Sequence, residues 1–220
     1  MGHSRNANPD EPGWQPTSEK VRFRSKKYKR ELAAAIDRGW KLIRQGEDQE
    51  ALEFLEEAVH HFPKSAEIRM LLARVYLDLR PDAMAAQLTK AAELGFDDPS
   101  IQIRAGHRLW NIDDLEGARR CAARACELAD EDFKLSADLE SLIGHVAASD
   151  GEYAFAEEKF RSAVKREPKW SSHWLSLARF LWARGRDEEA LTVIDESLTR
   201  VKENIDRDLL ERLRSEIATG

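Results

Sequence analysis

The sequence predicts an all-α chain of stacked antiparallel helical hairpins, and three observations carry the prediction. From about Ser25 onward apolar residues recur at helical spacing, and no strand-like alternation competes with them. Breaks fall at Gly46, Pro63, Arg80-Pro81, Pro99, Asp113-Asp114, Gly151, Pro168 and Gly185, which cuts the chain into helices of roughly twelve to fifteen residues. Small residues at Gly39, Ala73, Gly106, Gly144 and Ala178 recur at intervals of 34, 33, 38 and 34. Self-similarity at such a period is the mark of a repeat array.

Taken in order, residues 1–19 hold Pro9, Pro12, Gly13 and Pro16 among polar residues, with Trp14 as the one apolar anchor, and are expected to form a disordered tail. Residues 20–31, "KVRFRSKKYKRE", form a basic segment leading into the first helix. Five repeats follow over residues 32–204. Twelve residues after four of the small positions comes an alanine, at Ala51, Ala118, Ala156 and Ala190. In the second unit the place falls to Met84 or Ala85, so its hairpin turn is expected to be one residue short. Seven further on stand Ala58, Ala125, Ala163 and Ser197, with Ala91 or Ala92 in the second unit. Small residues on both helices of a pair let the two backbones approach, and Leu55, Leu88, Phe160 and Ile194 fill the space between. The longer interval near "LADEDFKLSADLE" implies a four-residue insertion between the third and fourth units. Residues 205–220 place Ile205, Leu209, Leu213 and Ile217 at every fourth position, with Leu210 beside them, as an amphipathic helix capping the last repeat.

The small residue on each first helix, the alanine and large apolar residue on each second, and the closing Pro63 and Pro168 resemble the tetratricopeptide repeat family over about Leu32 to Asn204. The third unit departs from it, with Ala122 where a bulky residue is usual and no proline at its end. The resemblance implies a right-handed superhelix whose first helices line a concave face. It also implies that the residue after each small position points into the groove: Trp40, Arg74, His107, His145 and Arg179. Three further along stand Ile43, Leu77, Trp110, Ala148 and Trp182, and none of these ten residues is acidic. Arginine, histidine and tryptophan together suit a carboxylate-bearing peptide, extended or helical, through charge-assisted hydrogen bonds and aromatic contact. Packing of the tryptophans, with Arg74 and Arg179 paired to nearby acids, is the alternative. The carboxylate clamp that some members use for chaperone tails is not matched: of its places on the first three units only Arg104 fits, against Ile36, Trp40, Leu71 and Ser100.

Charge adds a second candidate surface. The net charge is −6, yet Lys20, Arg22, Arg24, Lys26, Lys27, Lys29 and Arg30 supply +7 within eleven residues, so the remainder sums to −13. The basic segment admits three readings: a docking segment for an acidic partner or a second copy, a nucleic-acid arm with Phe23 and Tyr28 to stack, or a solvent-facing helix start capped by Ser25. Catalysis is not expected, because no phosphate loop, CxxC pair or nucleophile with a base stands at a usable spacing. His60 and His61 are adjacent, so they do not share a helix face as metal ligands would, and neither metal nor cofactor is expected. Cys121 and Cys126, five apart on one helix, are expected to stay reduced. With no signal-like or membrane-length apolar run, the chain is expected to be cytoplasmic, an adaptor or assembly subunit for an acidic protein, with a nucleic-acid-associated subunit as the alternative.

Overall fold

A computed structural model of the chain describes residues 18–129, 136–200 and 204–219. Among them are eleven helices and no strand: α1 (Ser18–Gln45), α2 (Asp48–His61), α3 (Ala66–Leu79), α4 (Pro81–Leu94), α5 (Pro99–Asn111), α6 (Leu115–Leu128), α7 (Ala137–Ser149), α8 (Tyr153–Arg166), α9 (Ser171–Ala183), α10 (Asp187–Arg200) and α11 (Asn204–Thr219). Consecutive pairs form five hairpins, and each first helix also packs on the first helix of the next hairpin. Every break anticipated from the sequence lies between two helices or at a helix end.

The turns explain the repeat lengths. In four hairpins the turn includes a residue at positive φ, Gly46 (72°), Asp113 (64°), Gly151 (82°) or Gly185 (69°). This left-handed step ends the first helix, and glycine adopts it without steric cost. The second hairpin has no such step: Arg80 alone separates α3 from α4, and Pro81 opens α4 at once. Met84 and Ala91, not Ala85 and Ala92, are therefore the buried residues at those two places. Links between hairpins span residues 62–65, 95–98 and 167–170, but 129–136 between α6 and α7, which is the expected insertion. Side-chain caps start several helices; Ser65, Asp98, Asp114 and Ser136 each accept from a backbone N–H in the first turn of the helix that follows.

The small-residue rule holds in the packing. Ala51, Ala73, Ala118, Ala156, Ala178 and Ala190 are wholly buried, as are Leu55, Leu88 and Ile194 between them. At Gly144 a Cβ would stand 2.9 Å from the Phe160 ring, so α7 lies on α8 with no room for a side chain. The core divides at α6/α7: one segment joins α1 to α6, another joins α7 to α11, and a small cluster of Ile103, Ala125, Ala129 and Leu139 lies between them.

Two expectations need correction. The basic residues 20–31 do not lead into the first helix; α1 already begins at Ser18, and Ser25 lies inside it rather than capping it. Lysine, arginine and glutamate are good helix formers, and Lys27 lies 3.7 Å from Glu31 one turn on, so the run extends the helix. The tail expected over residues 1–19 lies outside the described residues up to position 17. On α11 the buried stripe is Leu210, Leu213 and Ile217, packed against α9 and α10, while Leu209 is exposed. A strict four-residue spacing drifts off one face of a 3.6-residue helix, which is why Leu210 replaces Leu209. Cys121 is buried and Cys126 exposed, and no disulfide joins them. No helix among the described residues is long and apolar enough to cross a membrane.

Candidate functional site

The first helices α5, α7 and α9 lie side by side and enclose a cavity of about 530 Å³. That is within the usual size range of ligand sites. His107 and Trp110 from α5, His145 and Ala148 from α7, and Arg179 and Phe180 from α9 contribute to its wall, with Phe160 of α8 behind them. The same Gly144 that admits Phe160 against α7 thereby sets an aromatic ring into the cavity floor.

The rings form a connected cluster. Trp110 stacks on His145 at 3.9 Å between centroids and 30° between planes, and His145 meets His107 edge-on at 5.7 Å and Phe160 at 4.9 Å. Phe160 in turn lies 5.3 Å from Phe180. His107 Nε2 is 3.0 Å from the Asp138 carbonyl oxygen, an acceptor only, so Nε2–H donates and the neutral tautomer is set. Trp110 Nε1–H donates to Ser149 Oγ, whose own hydroxyl donates to the His145 carbonyl.

Burial, then the neighbouring His107 and Arg179, push His145 down to about 3, and burial lowers His107 as well. Both imidazoles are therefore neutral near pH 7. His145 Nε2 stands 3.2 Å from Ser176 Oγ. A base held at about 3 accepts a proton too weakly at neutral pH to activate that hydroxyl, so the pair acts as a hydrogen bond. The cavity is an aromatic trough with charge at its margins: Asp138 toward the start of α7, and Arg179, exposed and in no ion pair with a described carboxylate.

The preceding stretch of first helices has a different character. Arg104 of α5 grips Glu67 of α3 through two hydrogen bonds of 2.8 and 3.0 Å. Burial, followed by the charges of Arg74 and Arg104, lowers the Arg108 guanidinium. Arg104 and Arg108 thus share the field of Glu67, with the charge of Arg74 close enough to Arg108 to be felt there.

Of the residues singled out by spacing, the structure brings His107, Trp110, His145 and Arg179 together around the cavity, with Ala148. Trp40 instead packs, half-buried, against the N-terminal core segment. Arg74 lies in the Arg104/Arg108 group, and Trp182 is exposed on α9 outside the cavity wall. Spacing alone misses Ser141, Ser176, Asp138, Ser172 and buried His173, all of which line it, and also Arg108. A signal was available: a helix face recurs every three to four residues in both directions, so a groove position one after the small residue continues two or three and six positions before it. Ser141, Ser176 and Arg104 fall on the first of these rows, and Asp138, Ser172 and Glu67 on the second.

On α1, Lys26, Lys27, Lys29 and Arg30 are exposed, and Tyr28 rests edge-on against Phe62 at 5.4 Å. The side chains of Lys20, Arg22 and Arg24 lie outside the described residues. No group of histidine, cysteine, aspartate and glutamate suited to a metal ion occurs among the described residues.

Two family models, both described as tetratricopeptide repeat, match residues 42–105 and 141–204. Neither reaches 106–140, where Ala122 and the long α6–α7 link depart from the pattern. No curated protein matches the chain. Among solved structures, a tetratricopeptide repeat protein from Parabacteroides merdae is similar over 86% of this chain and 71% of its own, at 17% identity and a TM-score of 0.69. A thermophilic TPR protein in Thermus thermophilus, TTC0263, matches 86% of this chain and 97% of its own at 22% identity and a TM-score of 0.64. Pseudomonas aeruginosa pilF matches 88% and 89% at 20% identity, with a TM-score of 0.64. At such identities the likeness shows the fold alone.

Proposed function

This chain belongs to the tetratricopeptide repeat family, and we propose that it is an adaptor or assembly subunit whose concave face holds an acidic segment of a protein partner. One observation carries the acidic character: Arg179 stands exposed on the wall of an aromatic cavity, in no ion pair with a described carboxylate. A guanidinium in that setting favours a carboxylate from outside the chain, and the neutral rings beside it favour apolar contact over further charge. Arg104 and Arg108 beside Glu67, with Arg74 next to Arg108, continue the run of guanidinium groups along the first helices. Affinity capture from cell lysate tests the reading. Proteins retained by the wild type are expected to be lost with the double variant Arg74→Glu/Arg179→Glu, and an unchanged set would overturn it.

The exposed basic residues of α1 support a second contact, also with an acidic protein surface. The nucleic-acid alternative rests on the same residues. Removing residues 20–30 abolishes salt-sensitive retention of RNA or DNA if that alternative holds; with no retention in the wild type, the alternative fails.

A further inference from the structure

We infer that the cavity between α5, α7 and α9 takes the Trp14 segment of a second copy of this chain, so that copies join head to tail. The inference rests on the proposed function of the concave face as a receptor for acidic protein segments, and it names the occupant.

The cavity requires one bulky apolar group for its ring-lined floor and a carboxylate for Arg179. Residues 1–17 offer that combination. Trp14 is their one aromatic residue, and Asp10 and Glu11 precede it by four and three positions with no base between. Tryptophan is also the residue most often found at the energetic centre of an interface, where it fills a pocket.

Trp14 does not reach the cavity of its own copy. It precedes Ser18, the first residue of α1, by four residues, which span at most about 14 Å when fully extended. Asp138, at the near end of the cavity, stands six residues before Gly144; the equivalent place on α1, six before Gly39, is Ala33, fifteen residues after Ser18 or about 22 Å at the rise of a helix. The cavity is displaced further by the packing of α1 on α3 and α3 on α5, each step roughly 8 to 10 Å. The combined separation is about 30 Å, twice the available reach. Trp14 can therefore enter only the cavity of another copy.

Charge complementarity supports the same arrangement. The basic run from Lys20 to Arg30 begins six residues after Trp14 and lies within α1. Toward the start of α7 and α9, the carboxylates of Asp138, at the cavity rim, and Glu167, beside it, lie 3.8 and 3.6 Å from His173 Nε2. A second copy with Trp14 in the cavity brings its basic run toward those acids. The positive pole at one end of the chain thus meets negative groups at the receiving end. Such a contact joins unlike surfaces, so each copy keeps one open head and one open tail, and growth continues with concentration.

Light scattering of the full chain over a concentration series measures this. The wild type is expected to rise in mass above one chain as concentration increases, while Trp14→Ala and Arg179→Glu each raise the midpoint at least about tenfold. The two variants mixed in equal amounts are expected to stop at twice the chain mass, because the Trp14 segment of Arg179→Glu still enters the intact cavity of Trp14→Ala. Three results would overturn the inference: a wild type that stays one chain at every concentration, a Trp14→Ala variant that assembles like the wild type, or a mixture that gains no dimer. None of these touches the capture experiment, so the concave face can fail as a self-receptor and still stand as a receptor for other proteins. Loss of capture specificity with self-association intact identifies the reverse case.

Discussion

Two stretches of the concave face share one scaffold and use it differently. Along α3 and α5 the charges answer each other, with Glu67 held by both arms of Arg104 and its field reaching Arg108. Along α7 and α9 the wall is made of neutral rings and hydroxyls, and Arg179 is in no ion pair with a described carboxylate. The difference does not come from the helices, whose small-residue contacts are alike. It comes from what stands at the groove positions, which the fold leaves open to choice. A paired surface has little left to offer a ligand, whereas a ring-lined trough with exposed Arg179 and Asp138 at its margins has an apolar and an electrostatic contribution still to make.

Four substitutions probe that contrast, in falling order of expected effect. Phe160→Ala removes a fully buried ring that also floors the cavity, and is expected to cost about 3 to 5 kcal/mol in denaturant unfolding. Because repeats contact only their neighbours and the core divides near α6/α7, hydrogen exchange should rise in α7–α11 and stay near wild type in α2–α4. Equal loosening of both halves would show a single cooperative core instead.

His145 gives the largest pH effect. Its pKa in the folded chain lies far below its value of 6.5 in an unfolded one. The unfolded state therefore binds more protons between those limits, and stability falls as pH drops below about 6.5 toward 3. Each unit of that window is worth about 1.4 kcal/mol, so by pH 5 a loss on the order of 2 kcal/mol is expected. His145→Gln should flatten this limb, and parallel slopes for the two proteins would contradict the burial of a neutral ring. On the paired stretch, Glu67→Gln takes the carboxylate from Arg104 and its field from Arg108 and is expected to lower stability by about 1 kcal/mol. Arg179→Gln, in the other stretch, should change thermal stability by less than about 0.5 kcal/mol. A larger loss there would mean that Arg179 supports the fold.

Most of the fold was legible because repetition makes each position testable several times. Gly39, Gly106 and Gly144 mark close approaches, and the turn glycines and prolines mark the ends. What was not legible is where a small angular drift decides the outcome. Leu209 and Leu210 differ by one position, yet Leu210 is wholly buried and Leu209 exposed. Trp40 and His107 occupy equivalent positions, yet Trp40 packs on the N-terminal core segment and His107 lines a cavity. The extra wall that makes the cavity comes from Phe160 and Phe180, and burial among those rings is what keeps His145 neutral. Spacing within one helix carries no record of a neighbour on another. The helical state of the basic run at Lys20 to Arg30 was obscured for a local reason, since Ser25 resembles a cap although the helix-forming residues on both sides carry the helix through it.

If the α7/α9 wall, more than the α3/α5 stretch, is where a partner binds, then Arg179 rather than Arg74 is the charge that the partner answers. Capture from lysate with the single variants Arg74→Glu and Arg179→Glu, side by side, measures this most directly. Arg179→Glu is expected to lose the proteins that the wild type retains, while Arg74→Glu keeps most of them. Loss with Arg74→Glu and retention with Arg179→Glu would contradict that assignment and move the receptor to the paired stretch.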